Sequence, residues 1–215
     1  AIVAKNGASV LTRKEIDKLT EHAKGIGAKG LAYVRWVDDA PACSFAKFMK
    51  EEELSAIYER LGAEKGDVIL IVADKNSTVL STLGALRLKV AKQLDIIPED
   101  QFNFLWITEF PFFEWNEETQ HWDAMHHPFT MPMDECLEYL DTDPGKVKAK
   151  AYDLVLNGVE LSSGSIRITD FELQQRMFRA LGLTDEEIEK KFGFLVDAYR
   201  YGAAPHGGMG IGLDR

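Results

Sequence analysis

The dipeptide Asn157-Gly158 constrains the fold of this 215-residue chain more strongly than any other feature. It separates two apolar runs, residues 151–156 and residues 159–161. Asn-Gly is the strongest short-range signal for a two-residue hairpin, because both residues tolerate the positive φ angles that the turn requires. We therefore predict antiparallel sheet in this part of the chain.

A two-residue turn also determines which residues face each other across the predicted hairpin. Val155 should face Glu160 and Asp153 should face Ser162, so that Asp153 and Glu160 share one face as diagonal neighbours. Two converging carboxylates repel each other unless a cation lies between them, and hard oxygen ligands beside a nucleotide suit Mg²⁺. The pair is a candidate magnesium site, and a solvated hairpin face is the alternative.

Glycines occupy alternate positions near the end of the chain, at Gly208, Gly210 and Gly212. Alternate residues of a strand point to the same face, so these three would leave one face as bare backbone. Such a face admits either a flat ligand or a closely packed neighbouring element, and the pattern alone does not separate the two. The spacing matches neither the dinucleotide-binding fingerprint nor the P-loop.

An arginine and two adjacent histidines complete the candidate set. Strict alternation from Glu160 puts Arg167 on the opposite face, unless a bulge at Gly164 restores it. Arg167 would either bind a carboxylate in a pocket or remain an exposed charge. His126 and His127 point to opposite sides of an extended chain, so at most one of them should face a site.

The pattern changes character near residues 102–106, which favours two domains. Before this point, the order is helix, strand, helix, strand, helix, as in a compact α+β or α/β module. The predicted helices there cover residues 12–24, 51–61 and 78–94, and the strands cover 31–37 and 67–73. Two later helices are predicted at 171–181 and 186–201. Six aromatic residues are predicted to pack in the core: Phe104, Trp106, Phe110, Phe112, Phe113 and Trp115.

Composition limits the function classes. The formal net charge of −10 opposes generic binding to a phosphate backbone without excluding a local basic face. Cys43 and Cys136 lie far apart without zinc-ligand spacing, which suits a reducing cytoplasm and argues against a structural metal. The apolar run at 68–73 is far shorter than the roughly 18 residues needed to cross a bilayer, so no membrane association is expected. The chain starts at Ala1 and stops after a glycine-rich stretch, from which we expect the parent sequence to continue.

Several segments resemble one known family. Residues 208–215, Gly-Met-Gly-Ile-Gly-Leu-Asp-Arg, resemble motif 3 of the class II aminoacyl-tRNA synthetases, with Asp214 where many members have Glu. Segments 125–130, 151–160, 164–168, 191–194 and 205–208 resemble those of the bacterial aspartyl-tRNA synthetases. Ser162-Ser163 stands where many relatives have glycines. Segments 11–14, 27–33 and 84–90 are similar to the GAD insertion domain of the same family.

The resemblance implies an α+β fold with two parts. Residues 1–103 would form the GAD-like insertion domain, a sheet with helices. Residues 104–215 would form the C-terminal part of the antiparallel β-sheet catalytic domain of the class II synthetases, truncated after motif 3. The anticodon-binding domain, motif 1 and motif 2 of the family would precede Ala1, so the fragment alone should be inactive.

The resemblance also implies an activity and its partners. The intact enzyme would use ATP to convert L-aspartate to aspartyl-adenylate and transfer the aspartyl group to tRNA(Asp), with tRNA(Asn) left open as a second acceptor. It would be a cytoplasmic homodimer that uses Mg²⁺ with ATP.

Individual residues carry over from the family motifs. Arg215 and Glu160 are the implied catalytic residues. His126 and Arg167 would bind L-aspartate, and Asp153 and Glu160 would hold Mg²⁺. The implied ATP contacts are Glu160, Gly208, Gly210, Gly212, Leu213, Asp214 and Arg215.

The sequence also leaves two alternatives open. The GAD domain also occurs in an amidotransferase subunit that acts on misacylated tRNA, so the chain would then be a tRNA-interaction module. That relative is not expected to carry Asp153, Glu160 and Arg167 or residues 208–215. An AMP-forming ligase that acts on a small acid without tRNA would keep the nucleotide residues but lack the insertion domain.

Overall fold

The computed structural model describes residues 1–215, which divide into two compact units, Ala1–Glu99 and Asp100–Arg215. Each unit contains its own four-stranded antiparallel sheet and its own helices. The predicted α+β class is confirmed, because the sheets are antiparallel and the helices do not connect parallel strands. None of the helices is long and apolar enough to pass through a membrane.

The first unit contains four strands and three helices. The strands are β1 (Ile2–Ala4), β2 (Ala32–Arg35), β3 (Ala42–Cys43) and β4 (Val68–Ile71), in the spatial order β1-β4-β2-β3. The helices are α1 (Arg13–Ile26), α2 (Glu51–Leu61) and α3 (Asn76–Gln93). The predicted order of three helices and two strands is confirmed, whereas the short strands β1 and β3 carry no sequence pattern that predicts them.

Helix α1 has the ends that its sequence predicts. The hydroxyl of Thr12 accepts a hydrogen bond from the backbone N–H of Glu15 at 3.4 Å, and Gly27 ends the helix with a φ of 116°. Ile16 and Leu19 of this helix are fully buried. They belong to the same core cluster as residues of β4 and α3. Their helical spacing therefore places the apolar face of α1 against this core.

Asp67 is a buried carboxylate in the first unit. Its side chain accepts hydrogen bonds from Lys5 Nζ at 2.8 Å and from the backbone N–H groups of Asn6 and Glu64, each at 2.9 Å. Burial raises the pKa of the Asp67 carboxyl, but the Lys5 hydrogen bond and the two amides outweigh burial and leave the pKa below its ordinary value. Asp67 therefore joins the segments that flank β1 and β4.

The second unit contains six strands and two helices. The strands are β5 (Phe104–Pro111), β6 (Phe113–Asn116), β7 (His121–Ala124), β8 (Lys148–Leu156), β9 (Val159–Ile166) and β10 (Gly207–Ile211). The main sheet has the order β10-β9-β8-β5, and β6 and β7 form a separate hairpin. The helices are α4 (Phe171–Ala180) and α5 (Asp185–Arg200), and Thr184 and Glu187 form the predicted capping box of α5.

The aromatic-rich segment of the second unit is only partly buried. Phe112 and Phe113 belong to the core, as predicted. The prediction was wrong for Phe104, Trp106 and Trp115, which are 58%, 54% and 44% exposed. Phe104 and Trp106 lie on β5, an outer strand of its sheet, so sequence hydrophobicity overstates their burial here.

The predicted hairpin is confirmed. Asn157 and Gly158 connect β8 to β9 with φ angles of 50° and 83°, the positive values that a type I′ turn requires. Leu156 lies opposite Val159, and Val155 lies opposite Glu160, as the two-residue turn predicts. The turn is also anchored from outside, because the Asn157 side chain accepts a hydrogen bond from Asn103 N–H and donates one to the carbonyl of Gln101.

Candidate active site

A bulge in β9 changes the register just beyond the hairpin. Val155 pairs with Glu160 and Leu154 pairs with Ser162, so Leu161 is an extra residue without an opposite partner. The predicted pairing of Asp153 with Ser162 is therefore wrong, because Asp153 lies opposite Ser163 instead.

The same bulge decides the orientation of Arg167. One extra residue reverses the alternation of side chains along β9, so Arg167 lies on the face of Glu160 rather than on the opposite face. The restoring bulge lies at Leu161 and not at Gly164, where the sequence suggested it. Asp153 shares this face, because it lies two residues from Val155 and Val155 lies opposite Glu160.

Gly164 has a different role, which is a close approach of strands. A Cβ atom there would overlap the carbonyl oxygen of Gly208 and would lie 2.7 Å from Cε2 of Tyr152. The Tyr152 hydroxyl crosses this position and donates a hydrogen bond to the Gly208 carbonyl at 3.1 Å. Only glycine leaves room for this crossing, which ties β8 to β10 across β9.

The alternate glycines form an open surface, here called the glycine face. It comprises Gly208 and Gly210 of β10 with Ser165 and Ser163, their opposite partners on β9. A Cβ atom added to Gly208 or Gly210 would meet no atom within 4 Å. No element within residues 1–215 packs against these two glycines, and the space in front of them admits a ligand.

Arg215 and Glu160 meet at one end of the glycine face. Arg215 Nη1 donates a hydrogen bond to the backbone carbonyl of Glu160 at 2.7 Å and lies 3.6 Å from the Glu160 carboxylate. A cavity of about 360 Å³ lies at this end. Its lining brings together six of the predicted ATP contacts with two neighbours: Glu160, Leu161, Gly210, Ile211, Gly212, Leu213, Asp214 and Arg215.

Arg167 lies at the other end of the glycine face. Its backbone N–H donates to the carbonyl of His206 at 3.0 Å, one step beyond the pairing of Ile166 with Gly207. Arg167 and His206 line a cavity of about 370 Å³ at this end, together with Ser163 and residues of β10. Gly208 and Gly210 line it as well, so the cavities at the two ends share Gly210.

The structure brings His127, rather than His126, to Arg167. Arg167 Nη1 lies 3.0 Å from Nδ1 of His127 and also contacts Nε2 of the same ring. His126 is exposed and its ring packs edge-on against Phe110 at a centroid distance of 5.0 Å. Of the residues predicted to bind L-aspartate, Arg167 therefore lies in a cavity and His126 lies apart from it.

The contacts of His127 favour the neutral form of its imidazole. Its Nδ1 accepts a hydrogen bond from the backbone N–H of Phe129 at 3.3 Å and lies near the Arg167 guanidinium, so that nitrogen holds no proton. Burial lowers the pKa of the His127 imidazole, and the positive charges of Arg167 and His126 lower it further. A neutral imidazole leaves the Arg167 charge available to an anion.

Two buried side chains anchor the loop that carries the histidines. Thr130 lies opposite Arg167 in an isolated bridge, and its hydroxyl lies 3.4 Å from the hydroxyl of Ser165. Gln174 of α4 is fully buried and donates a hydrogen bond to the carbonyl of Pro128 at 2.8 Å. The loop is therefore fixed both to the strand that precedes Arg167 and to a helix.

Asp153 and Glu160 could hold a magnesium ion only if a bound ligand completed its coordination shell. No group of three or more His, Cys, Asp or Glu side chains lies close enough to hold a metal ion. Mg²⁺ usually takes one or two protein carboxylates and completes its shell with phosphate oxygens and water. Two carboxylates on the face that bears Arg215 are consistent with this pattern, and their role as metal ligands stays a prediction.

Sequence reasoning did not single out every residue of this region. Ser163, Thr130 and Gln174 have no motif signal of their own, because each is placed by register or by packing between distant segments. His206 lies in segment 205–208, which resembles the family, but only the pairing of β9 with β10 puts it opposite Arg167.

Comparisons with known proteins identify the family of the chain. The family described as tRNA synthetases class II (D, K and N) matches residues 4–215. An aspartate-tRNA ligase of Ruminiclostridium cellulolyticum is 57% identical over 216 residues, which cover the whole of this chain and 36% of the relative. An aspartate-tRNA ligase of Clostridium botulinum (strain Eklund 17B / Type B) is 56% identical with the same coverage.

The chain thus spans about a third of the length of the curated relatives that it matches. Among solved structures, an aspartyl-tRNA synthetase from Entamoeba histolytica matches 76% of this chain and 26% of its own, with 21% identity and a TM-score of 0.41. That structural similarity is too limited to support an argument, whereas the family match extends over nearly every residue. The chain belongs to the class II tRNA synthetases of the D, K and N group.

Proposed function

We propose that the intact protein is an aspartate-tRNA ligase, which activates L-aspartate with ATP and transfers it to tRNA. In this proposal, residues 104–215 supply the end of the catalytic domain and residues 1–103 supply the insertion domain. The relatives that match the whole chain are named aspartate-tRNA ligases, which supports the assignment.

The observation that carries the proposal is the position of two arginines at opposite ends of one bare surface. Arg167 lies opposite His206, and the backbone N–H of Arg215 donates to the carbonyl of Gly212. Residues 206 and 212 of a strand lie about 20 Å apart, at about 3.3 Å per residue. Two anionic groups, one at each end, suit this surface, and the side-chain carboxylate of aspartate together with the phosphate tail of ATP would supply them.

The proposed roles follow from the chemistry of each end. Arg167 binds the side-chain carboxylate of aspartate, because a guanidinium matches the two oxygens of a carboxylate. Gly208 and Gly210 let the planar part of the ligand approach the backbone. Arg215 binds the phosphate tail of ATP, and the Glu160 carbonyl holds its guanidinium in position.

The reaction needs placement and charge neutralisation rather than a covalent enzyme intermediate. One oxygen of the aspartate α-carboxylate attacks the α-phosphorus of ATP, and the bond from that phosphorus to the bridging oxygen breaks, so that diphosphate leaves with the electron pair. A ribose hydroxyl of tRNA then attacks the carbonyl carbon of the adenylate, the bond from that carbon to the phosphate oxygen breaks, and AMP leaves with the electron pair while the hydroxyl proton passes to solvent. Asp153 and Glu160 would hold Mg²⁺, which neutralises phosphate charge when it is bound.

Further features of the intact protein are part of the same proposal. It would be a cytoplasmic homodimer, and its tRNA would be tRNA(Asp), with tRNA(Asn) as an open second acceptor. The free thiols of Cys43 and Cys136 are consistent with a reducing compartment. The two alternatives, an amidotransferase-related module and a ligase that does not use tRNA, are not favoured, because the family match includes both units.

Exchange of labelled pyrophosphate into ATP tests the proposal on the full-length protein. We expect exchange that depends on L-aspartate, and none with L-asparagine, L-glutamate or L-lysine. Exchange stimulated by another amino acid but not by L-aspartate would refute the substrate assignment.

A further inference from the structure

His206 lies directly across from Arg167 at one end of the glycine face. Ile166 pairs with Gly207, and the Arg167 backbone N–H bonds the His206 carbonyl at 3.0 Å, so the next pair along the strands is Arg167 with His206. Residues that face each other in an antiparallel pair carry side chains on the same face, with Cβ atoms about 5 Å apart. Both residues line the same cavity of about 370 Å³.

The hydrogen bond of the His206 ring determines which nitrogen is free. Nδ1 lies 3.0 Å from the backbone carbonyl of Ala204. A carbonyl oxygen can only accept, so Nδ1 must carry the proton and donate it. In the neutral ring, Nε2 then has no proton and offers a lone pair.

Arg167 is a permanent cation on the same face, and its guanidinium contacts the His127 ring. Among the residues that line this cavity, Arg167 is the only permanent cation. The free Nε2 of His206 is therefore the group there that can accept a hydrogen bond from a cationic donor on a ligand.

We propose that His206 is a further substrate-binding residue, whose Nε2 accepts a hydrogen bond from the ammonium group of the amino acid that Arg167 holds by its carboxylate. This inference rests on the proposed function. Two side chains about 5 Å apart can reach both groups at once, because only a short carbon chain separates the ammonium from the side-chain carboxylate in aspartate. His206 would thus select an amino acid over a simple dicarboxylic acid, a distinction that Arg167 cannot make.

Succinate separates this role from that of Arg167, because succinate is aspartate without the ammonium group. Binding of L-aspartate and of succinate to the full-length protein is measured by calorimetry for the wild type, His206→Ala and His206→Gln. His206 is exposed, so neither substitution should prevent folding. The glutamine side chain retains an oxygen acceptor, which makes it the matched control.

For His206→Ala we expect at least about tenfold weaker binding of L-aspartate, the scale of one hydrogen bond to a charged group. Succinate should bind with unchanged affinity, and His206→Gln should recover most of the affinity for L-aspartate. Unchanged binding of L-aspartate to His206→Ala, or an equal loss for succinate, would overturn the role of His206. A wild-type protein that binds no L-aspartate would instead refute the proposed function.

Discussion

Arg215 donates a hydrogen bond to the backbone carbonyl of Glu160 at 2.7 Å, while its guanidinium lies 3.6 Å from the carboxylate of the same residue. The end of the chain is thereby joined to the start of β9, next to the hairpin. Both side chains are about half exposed, at 53% and 51%. An exposed ion pair contributes at most about 1 kcal/mol to stability, so the conformation of Arg215 matters more for a ligand than for folding.

Arg215 should matter for ATP binding rather than for folding. In the full-length protein, Arg215→Ala should raise the Kd for ATP at least about tenfold, because a charge-assisted contact to phosphate is worth about 1.5–3 kcal/mol. Thermal unfolding should be nearly unchanged. Titration with ATP alongside a melting curve checks both statements, and a large fall in Tm with normal ATP affinity would assign Arg215 to structure.

Two glycines on the same sheet should respond in opposite ways to substitution by alanine. A Cβ at Gly164 overlaps the Gly208 backbone, so Gly164→Ala should destabilise the second unit by about 1–3 kcal/mol or more. A Cβ at Gly210 meets nothing within 4 Å, so Gly210→Ala should leave stability unchanged and weaken ATP binding. Equal melting temperatures for the two variants would show that the crossing at Gly164 is looser than described.

The carboxylate of Asp67 should make the first unit sensitive to acid. Its pKa is lower in the folded state than in the unfolded state, so its stabilising contribution is complete above the unfolded value near 4 and is lost as the pH falls through the folded value. Hydrogen exchange of the β4 amides, followed from pH 6 downward, should accelerate at the acid end beyond the intrinsic pH dependence of exchange. In the Asp67→Asn variant, the β4 amides should exchange faster than in the wild type at every pH, and the additional acid dependence should be absent. The substitution should lower the free energy of unfolding by about 1.5–3 kcal/mol.

His127 should make the stability of the second unit depend on pH, at higher pH values than those at which Asp67 affects the first unit. Because its folded pKa is depressed below the ordinary value near 6.5, the unfolded chain takes up a proton first as the pH falls. Stability should therefore be constant above about pH 6.5 and decrease below it, until the folded pKa is reached. His127→Gln should flatten this decrease in the melting temperature between pH 7 and pH 5, and an unchanged slope would place the titrating group elsewhere.

The sequence predicts those parts of the fold that depend on short-range chemistry. The Asn157-Gly158 turn, the Thr184 capping box and the boundaries of α2 follow from residues within a few positions of each other, and all three are confirmed. The aromatic residues of β5 illustrate the limit. Whether Trp106 is buried depends on what lies beside its strand, and the pattern of the strand itself carries no such information.

In the candidate site, too, the features set by nearby residues are predictable from the sequence, and those set by distant pairing are not. The shared face of Asp153 and Glu160 follows from the turn, but the orientation of Arg167 depends on one extra residue, Leu161, in a stretch where the sequence pointed to Gly164. Local periodicity cannot locate such a bulge, because it is decided by pairing with two neighbouring strands. The choice between His126 and His127 likewise depends on how their loop is anchored to β9.

The central claim is that Arg167 binds the amino acid at one end of the glycine face while Arg215 binds ATP at the other. Arg167→Leu in the full-length protein tests it most directly, through the separate dependence of pyrophosphate exchange on L-aspartate and on ATP. We expect the KM for L-aspartate to rise by a factor that corresponds to about 2–5 kcal/mol, the scale for leaving one charge of a buried pair without its partner. The KM for ATP should stay within about twofold of the wild type. An unchanged dependence on L-aspartate, with a protein that only melts at a lower temperature, would contradict the claim.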